Sequence, residues 1–154
     1  MVWWRGHELL SSEYSVSGDR VVNSIVVGPL ARGDHATVLT CLASNNNISV
    51  PVSSKVTIHM ILPPTHVSIT TPAMPLSAGT EYLLECDTDG SVPSPTVSWY
   101  LGTELLGEKE RIFFTPSHNH HGQVITCRAE NIIIIEDSWT LTVYCKILLI
   151  PCCY

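Results

Sequence analysis

Short stretches in which apolar and polar residues alternate run along most of the chain. Val56, Ile58 and Met60 alternate with polar neighbours, and the same period of two recurs around residues 83–86, 97–100, 125–129 and 138–143. A period of two puts successive side chains on opposite faces of a β-strand. Turn-forming segments separate these stretches, and none shows helical periodicity with caps. The pattern predicts an all-β protein, either a sandwich or a barrel of short strands.

The spacing of two cysteines and a tryptophan narrows this prediction. Trp99 follows Cys86 by 13 positions (99 − 86), and Cys127 follows Cys86 by 41 (127 − 86). In an immunoglobulin domain, a tryptophan on strand C packs against a disulfide that joins strands B and F of opposite sheets. The spacing therefore predicts a Cys86–Cys127 disulfide with Trp99 packed against it in the core.

A second copy of part of this pattern lies near the start of the chain. Residues 39–45 (LTCLASN) parallel residues 125–131 (ITCRAEN) at a spacing of 86 (127 − 41), and Trp3 has the position of the strand C tryptophan. No cysteine precedes Cys41, so a strand B partner for it is absent. We expect tandem immunoglobulin-like β-sandwiches: an incomplete first domain at 1–62, with strands C, E, F and G but not A or B, and a second at 63–144. Trp3 and Cys41 are predicted core residues.

Composition and charge exclude several classes of protein. The formal net charge is −6, with only 8 Lys and Arg, so the basic surface of a nucleic-acid-binding protein is missing. No secretory signal opens the chain and no apolar run is long enough to cross a membrane. Because paired cysteines indicate an oxidising compartment, we expect an extracellular or cell-surface parent protein whose true N-terminus and membrane span this chain lacks. The segment 145–154 is predicted to be an unstructured tail that arises from the gene model.

The chain resembles the first immunoglobulin domains of sidestep-type cell-surface proteins of arthropods, with nephrin-like adhesion proteins as near relatives. The resemblance covers about residues 1–144, and it rests on the segments 3–5, 12–14, 30–34, 40–45, 75–80, 95–100, 114–116, 127–131 and 139–141. It implies cell adhesion or recognition in axon guidance or synaptic partner choice. Its implied partners are other immunoglobulin-superfamily proteins of the beaten-path type, bound through the amino-terminal domain. A secreted or matrix structural protein built from the same modules is the alternative.

Several positions depart from the family pattern. His120 stands where the family has an acidic residue before strand F, and Leu39 and Ile125 replace the tyrosine of the tyrosine corner. The stretch 101–111 is too short for a strand D. Residues 132–135 are all isoleucine in a hairpin that the family keeps polar, which indicates either a recognition hairpin or an insertion.

Candidate chemistry is sparse. His35, His118, His120 and His121 lack cysteine or carboxylate partners at ligand spacing, so we expect solvent-facing turns and no metal or cofactor. Ser, His and Asp occur without a nucleophile motif, and we expect neither an enzyme nor a small-molecule substrate. Asn47 begins a sequon for N-glycosylation in a predicted exposed turn. Asp34 is expected to form an ion pair below the turn before strand F, with Arg32 or Arg20 as the basic partner.

Overall fold

The computed structural model describes residues 1–46 and 48–145. These residues form two compact units, one within Met1–Met60 and the other from Ile61 onward. The division falls two residues before the predicted boundary. Leu62 explains the difference, because its N–H and C=O both hydrogen-bond to Val92 of the second unit at 2.8 and 2.9 Å. Its side chain is also buried.

The second unit is an immunoglobulin-like sandwich. Its strands are β7 (His66–Ile69), β8 (Leu76–Ser77), β9 (Tyr82–Asp89), β10 (Thr96–Leu101), β11 (Glu104–Gly107), β12 (Arg111–Phe114), β13 (Val124–Glu130), β14 (Ile134–Thr140) and β15 (Val143–Tyr144). One sheet has the order β12-β9-β7 and the other β11-β10-β13-β14, and β15 runs parallel to β8. The sheets correspond to strands E-B-A and C′-C-F-G. As predicted, the described residues between β11 and β12 contain no strand D.

The core of this unit lies between its two sheets. The inward-facing residues of every long strand are apolar, and Trp99, Leu76, Leu84, Ile125, Leu141, Val143, Pro116 and Cys127 are the largest of those that are fully buried. Alternation along β13 follows the predicted period, since Ile125, Cys127 and Ala129 are buried while their neighbours are not. Burial of this alternating set is the main stabilising contribution of the sandwich.

The first unit has one complete sheet. Its strands are β1 (Val2–Arg5), β2 (Glu8–Ser11), β3 (Ser15–Ser17), β4 (Arg20–Val22), β5 (Val38–Ala43) and β6 (Val52–Thr57). The order β2-β1-β5-β6 is again C′-C-F-G, and β3 and β4 form a separate hairpin. The alternation of apolar and polar residues predicted the last strand of this unit at residues 55–60, later in the chain than the observed β6. The ladder ends earlier because Ile58 bonds to Ala36 and Thr37 in the turn and the Met60 N–H bonds to the His35 side chain.

Strand E of the first unit stays a prediction. In chain order β4 (Arg20–Val22) ends just before residues 23–28, whose exposure alternates but which lie in no strand of the described structure. In the second unit, strand E (β12) exists because it pairs with strand B (β9). No strand B lies beside 23–28 among the described residues, so the segment has the side-chain pattern of a strand without a ladder.

Candidate functional site

The disulfide at the centre of the second unit joins its two sheets. Cys86 on β9 and Cys127 on β13 are bonded, with their Cα atoms 6.4 Å apart, within the usual span of a disulfide. Trp99 is opposite Cys127 in the β10–β13 register and is completely buried, although its Nε1 has no acceptor among the described residues. These residues build the core and present no reactive group to solvent.

The matching position in the first unit is open. Trp3 pairs with Cys41 in register, as Trp99 does with Cys127, but Cys41 is a free thiol and both residues are only half-buried. Trp3 Nε1 donates a hydrogen bond of 3.0 Å to the Asn23 carbonyl. Asn23 is buried, and its side-chain amide donates to the Met1 carbonyl at 3.0 Å. These bonds attach the segment 23–28 to the inner face of the sheet.

The inner face of the first sheet carries a concavity of about 560 Å³. It lies at the end of the sheet where β5 ends and β6 begins, and it is bordered by Met1, Tyr14, Val21, Ala43, Ser44, Asn45, Ser49, Val50 and Val52. Val50 and Val52 are 88% and 75% exposed, which is unusual for valine. We call the inward-facing surface formed by Trp3, Cys41, Ala43 and Val52 the open face.

The opposite face of the same sheet carries apolar residues on β1, β2 and β5, whereas β6 contributes Ser53 and Lys55 to it. Trp4, Leu9 and Thr40 share one register row, and Val2 and Leu42 share another. Successive residues of a strand point to opposite faces, so these side chains lie on the outer face because Trp3 and Cys41 lie on the inner one. We call Val2, Trp4, Leu9 and Leu42 the outer patch of unit 1.

The corresponding face of the second unit is charged instead. Arg128, which is the repeat counterpart of Leu42, bonds to Glu136 at 2.6 Å, and its guanidinium lies 4.7 Å from the centre of the Tyr100 ring. The hydrogen bond that Arg128 donates to Glu136 raises the pKa of Arg128, and desolvation acts against this shift. This side chain is therefore held in an ion pair and a cation–π contact on its own sheet.

The turns before strand F are held by histidine and aspartate side chains. Ser117 N–H donates to Nδ1 of His120 at 3.1 Å, just as Ala31 N–H donates to Asp34 at 2.7 Å in the first unit. His120 thus takes the acceptor role of the acidic residue that it replaces. It also stacks on Phe114, with ring centres 5.6 Å apart.

Two further histidines were expected to face solvent and do not. Nδ1 of His121 accepts a bond from Val143 N–H at 3.1 Å, and Nδ1 of His35 accepts one from Met60 N–H at 3.0 Å. Both rings are half-buried. Neither is a free ligand, because each ring nitrogen named here already accepts from the backbone. Among the described residues, no three His, Cys, Asp or Glu side chains are grouped so that they could hold a metal ion.

An ion pair joins Asp34 to a residue that the sequence did not suggest. Asp34 bonds to Arg5 of β1 at 3.4 Å. Arg5 follows Trp4 at the end of the strand, where it lies below the turn that contains Asp34. Arg5 could not be identified from the sequence, because its contact with Asp34 depends on the pairing of β1 with β5.

The turn between β13 and β14 exposes three isoleucines above a polar anchor. Ile132, Ile133 and Ile134 are 58%, 47% and 49% exposed, whereas Ile135 packs against the core. The Asn131 side-chain amide donates to the Ser91 hydroxyl and the Pro93 carbonyl, both at 2.9 Å. The turn is therefore tied to the loop that follows β9.

Two predicted features fall outside the described residues. Asn47 is one, although its neighbours Asn46 and Ile48 are exposed; the segment 146–154 of the predicted tail is the other. Within the part of the chain that the structure covers, no helix has the length and apolarity needed to span a membrane.

Comparison with known proteins shows the fold. No family model matches the chain, and no curated protein matches it. Among solved structures, Rst D1-D2 is similar over 93% of this chain and 84% of that chain, with a TM-score of 0.66 and 16% identity. The four amino-terminal immunoglobulin domains of Dscam1 isoform 6.9 match over 93% of this chain and 37% of theirs, at a TM-score of 0.59 and 15% identity.

A third similar structure comes from a different biological setting. The three amino-terminal domains of the outer capsid protein Hoc of bacteriophage RB49 match over 92% of this chain and 47% of that chain, with a TM-score of 0.50 and 14% identity. At such identities the likeness concerns architecture alone. The chain is an all-β protein with immunoglobulin-like β-sandwich architecture.

Proposed function

We propose that the chain is an extracellular recognition module that binds other cell-surface proteins and catalyses no reaction. The observation that carries the proposal is the outer patch of unit 1, where an immunoglobulin-type sheet places an exposed leucine, Leu9, beside the half-buried Val2, Trp4 and Leu42. Tryptophan is enriched among the residues that contribute most to protein–protein affinity. The structural neighbours Dscam1 and Rst support a role of this class.

The two units differ at matched positions in a way that supports this assignment. In unit 2 the outer face carries the ion pair between Arg128 and Glu136, and the Arg128 guanidinium lies over the Tyr100 ring. In unit 1 the counterpart of Arg128 is Leu42, and the residue paired with Leu42 on β6 is Ser53, so this position carries no ion pair. The core of a protein interface is depleted of charged residues, so the sheet of unit 1 is the better candidate.

The finer functional assignment follows from the resemblance to sidestep-type proteins. We propose that the partner is an immunoglobulin-superfamily protein of the beaten-path type and that the pairing serves axon guidance or synaptic partner choice at the cell surface. Asn47 would carry an N-linked glycan in the turn between β5 and β6. The proposed domains remain 1–62 and 63–144, with Trp3 and Cys41 as core residues of the first and Trp99 of the second.

A substitution between the two units tests the proposal. Leu42→Arg gives unit 1 the residue that unit 2 has at the same position, and Arg128→Leu is the matched control. Binding of soluble beaten-path-type ectodomains to the immobilised full chain is measured by surface plasmon resonance. We expect the wild type and Arg128→Leu to bind alike and Leu42→Arg to bind at least about tenfold more weakly, since a leucine in an interface core is replaced by a charge. No binding by the wild type, or equal losses in both variants, would contradict the proposal.

The alternative is a secreted or matrix structural protein. The architecture is compatible with it, because the capsid protein Hoc has similar domains. A membrane-spanning segment encoded in the full-length transcript would favour the receptor, and its absence from that transcript would favour the structural protein.

A further inference from the structure

A single aspartate in the sequence is followed by glycine, and the structure places this pair at the end of β9. Asp89 is the last residue of β9, and Gly90 follows it with a φ of 80°. Every other aspartate precedes a residue with a side chain, and no asparagine precedes a glycine. Because glycine has no Cβ, its backbone nitrogen is less hindered than any other when it approaches the side chain of the residue before it.

The Gly90 nitrogen is directed at the Asp89 carboxylate. Its N–H donates to Oδ1 of Asp89 at 2.6 Å, which is a short hydrogen bond. The Asp89 side chain is exposed, so water can reach the carboxylate and leave it. Attack of this nitrogen on Cγ of Asp89 would close a five-membered ring of the side chain and the backbone.

Two donors from Thr65 hold the carbonyl of the same peptide unit. The Asp89 carbonyl oxygen accepts the Thr65 N–H at 2.9 Å and the Thr65 hydroxyl at 3.2 Å. When the Gly90 nitrogen loses its proton, amide resonance moves negative charge onto this oxygen. Donors that already point to the place where charge develops lower the barrier to a reaction. Thr65 therefore favours the step that turns the Gly90 nitrogen into a nucleophile.

A second aspartate has a similar side-chain contact but is held in place. Ser138 N–H donates to Oδ1 of Asp137 at 2.8 Å, and Oδ2 of Asp137 accepts the Ile69 N–H at 2.8 Å. Asp137 and Ser138 also pair with Cys127 and Thr126 inside the ladder of β13 and β14. Ring closure there would break these bonds, so Asp137 is an internal control for Asp89.

We propose that Asp89–Gly90 is a site of spontaneous backbone isomerisation that the native structure promotes. The Gly90 nitrogen loses its proton to water and bonds to Cγ of Asp89, one carboxyl oxygen leaves as water, and a cyclic imide forms. A second water opens the ring. Attack of that water at Cγ restores aspartate, whereas attack at the main-chain carbonyl carbon gives isoaspartate, in which the chain continues through Cβ and Cγ. One water leaves and one enters, and nothing is oxidised or reduced.

Isoaspartate at position 89 changes the backbone beside the first contacts of unit 2. The former main-chain carbonyl, to which Thr65 donates, becomes part of a free carboxylate, and the chain to Val92 gains one methylene. The Val92 N–H and C=O bond to Leu62 at 2.9 and 2.8 Å. We therefore expect isomerisation to loosen residues 62–65 as the molecule ages, while the Cys86–Cys127 disulfide stays in place.

Uptake of heavy oxygen from water measures ring formation at each aspartate. The full chain is incubated at neutral pH in heavy-oxygen water, because each opening of the imide inserts one labelled oxygen atom. Trypsin digestion in ordinary water then separates Asp89 from Asp137, since Lys109 and Arg111 lie between them. Mass spectrometry counts the label in each peptide. The same incubation in urea gives the rates in the unfolded chain.

Two threonine variants separate the chemistry from the stability of the fold. Thr65→Val removes the hydroxyl donor to the Asp89 carbonyl. Thr70→Val is the matched control, because Thr70 donates to the Glu85 carbonyl through its N–H at 2.9 Å and its hydroxyl at 3.3 Å. Its removal leaves the contacts of Asp89 and Gly90 unchanged.

We expect Asp89 to take up label faster in the native chain than in urea, and far faster than Asp137. Thr65→Val should slow native uptake at Asp89 about fivefold, which is the effect of one lost hydrogen bond, and Thr70→Val should not. In urea all three proteins should react at one rate. Slower uptake at Asp89 in the native wild type than in urea would overturn the proposal. Equal rates in the native wild type and Thr65→Val, equal losses in both variants, or a difference that persists in urea would also overturn it.

Discussion

Removal of the Cys86–Cys127 disulfide should destabilise unit 2 strongly, whereas removal of the Cys41 thiol should not. The perturbation is the double substitution Cys86→Ala and Cys127→Ala, compared with Cys41→Ala. The two bonded cysteines join opposite sheets and are separated by 41 residues in sequence. All three cysteine side chains lie on the inward-facing side of their sheets. Comparing the double variant with Cys41→Ala therefore separates the effect of the covalent link from that of losing a sulfur atom.

The expected magnitude follows from loop closure in the unfolded chain. Closing a loop of 41 residues lowers the entropy of the unfolded state by about 13 cal/mol/K, or about 4 kcal/mol at room temperature. Since a typical domain has a free energy of unfolding of about 5–15 kcal/mol, the double variant should lose a large part of its stability. Cys41→Ala removes a half-buried sulfur and should cost no more than about 1 kcal/mol.

Urea unfolding, followed by pulsed hydrogen exchange in the segment 125–129, measures the stability of unit 2 directly. The double variant should unfold at a lower urea concentration, and the wild type treated with a reductant should behave in the same way. If the double variant loses less than about 1 kcal/mol of its free energy of unfolding, or if Cys41→Ala loses as much, the disulfide is not the main covalent constraint of the unit.

Three further changes have defined outcomes. His120→Asp should leave thermal stability nearly unchanged, because a carboxylate can accept the Ser117 N–H as Asp34 accepts that of Ala31, whereas His120→Leu should cost about 1 kcal/mol. Gly90→Ala should lower the melting temperature more than Gly102→Ala. Both glycines have positive φ, where a side chain destabilises the fold by about 1–2 kcal/mol. Only at Gly90 would the added Cβ also meet the Thr65 side chain. Asn131→Leu should speed hydrogen exchange in residues 90–95 without affecting the first unit, since it removes the bonds to Ser91 and Pro93; unchanged exchange there would contradict the anchoring role.

The fold of unit 2 could be read from the sequence because its signals agree. The spacing of Cys86, Trp99 and Cys127 and the alternation in each strand all specify the same sandwich, and the short stretch 101–111 correctly indicated that strand D is missing. Local pattern and tertiary contact reinforce one another here, which is the condition under which sequence reasoning succeeds.

Unit 1 was predicted less well for a physical reason. The segment 23–28 has the alternation of a strand, but a strand exists only where another backbone pairs with it. The missing strand B was itself predicted, and among the described residues this segment has no ladder. The same limit applies to Arg5, whose contact with Asp34 depends on the strand register. The histidines were misjudged because the acceptor role of a ring nitrogen depends on which backbone N–H the turn brings to it.

The outer patch of unit 1 was only partly visible in the sequence. The alternation predicted that Trp3 faces the core, and Trp4 must then face outward. The contrast with unit 2 emerged only when the register placed Leu42 and Arg128 at equivalent points of the two sheets. Whether a surface is apolar or charged depends on which side chains the strand register brings together, and a single residue does not determine it.

Hydrogen exchange on the full chain tests most directly whether unit 2 is a closed sandwich and unit 1 an open one. Amides of β5 (Leu39–Ala43) and of β13 (Ile125–Ala129) occupy the same place in the repeat, so they form an internal comparison. Because only β13 lies in a core covered by a second sheet, its amides should exchange orders of magnitude more slowly than those of β5. Equal protection of the two strands would show that unit 1 is closed in some other way and would contradict the account.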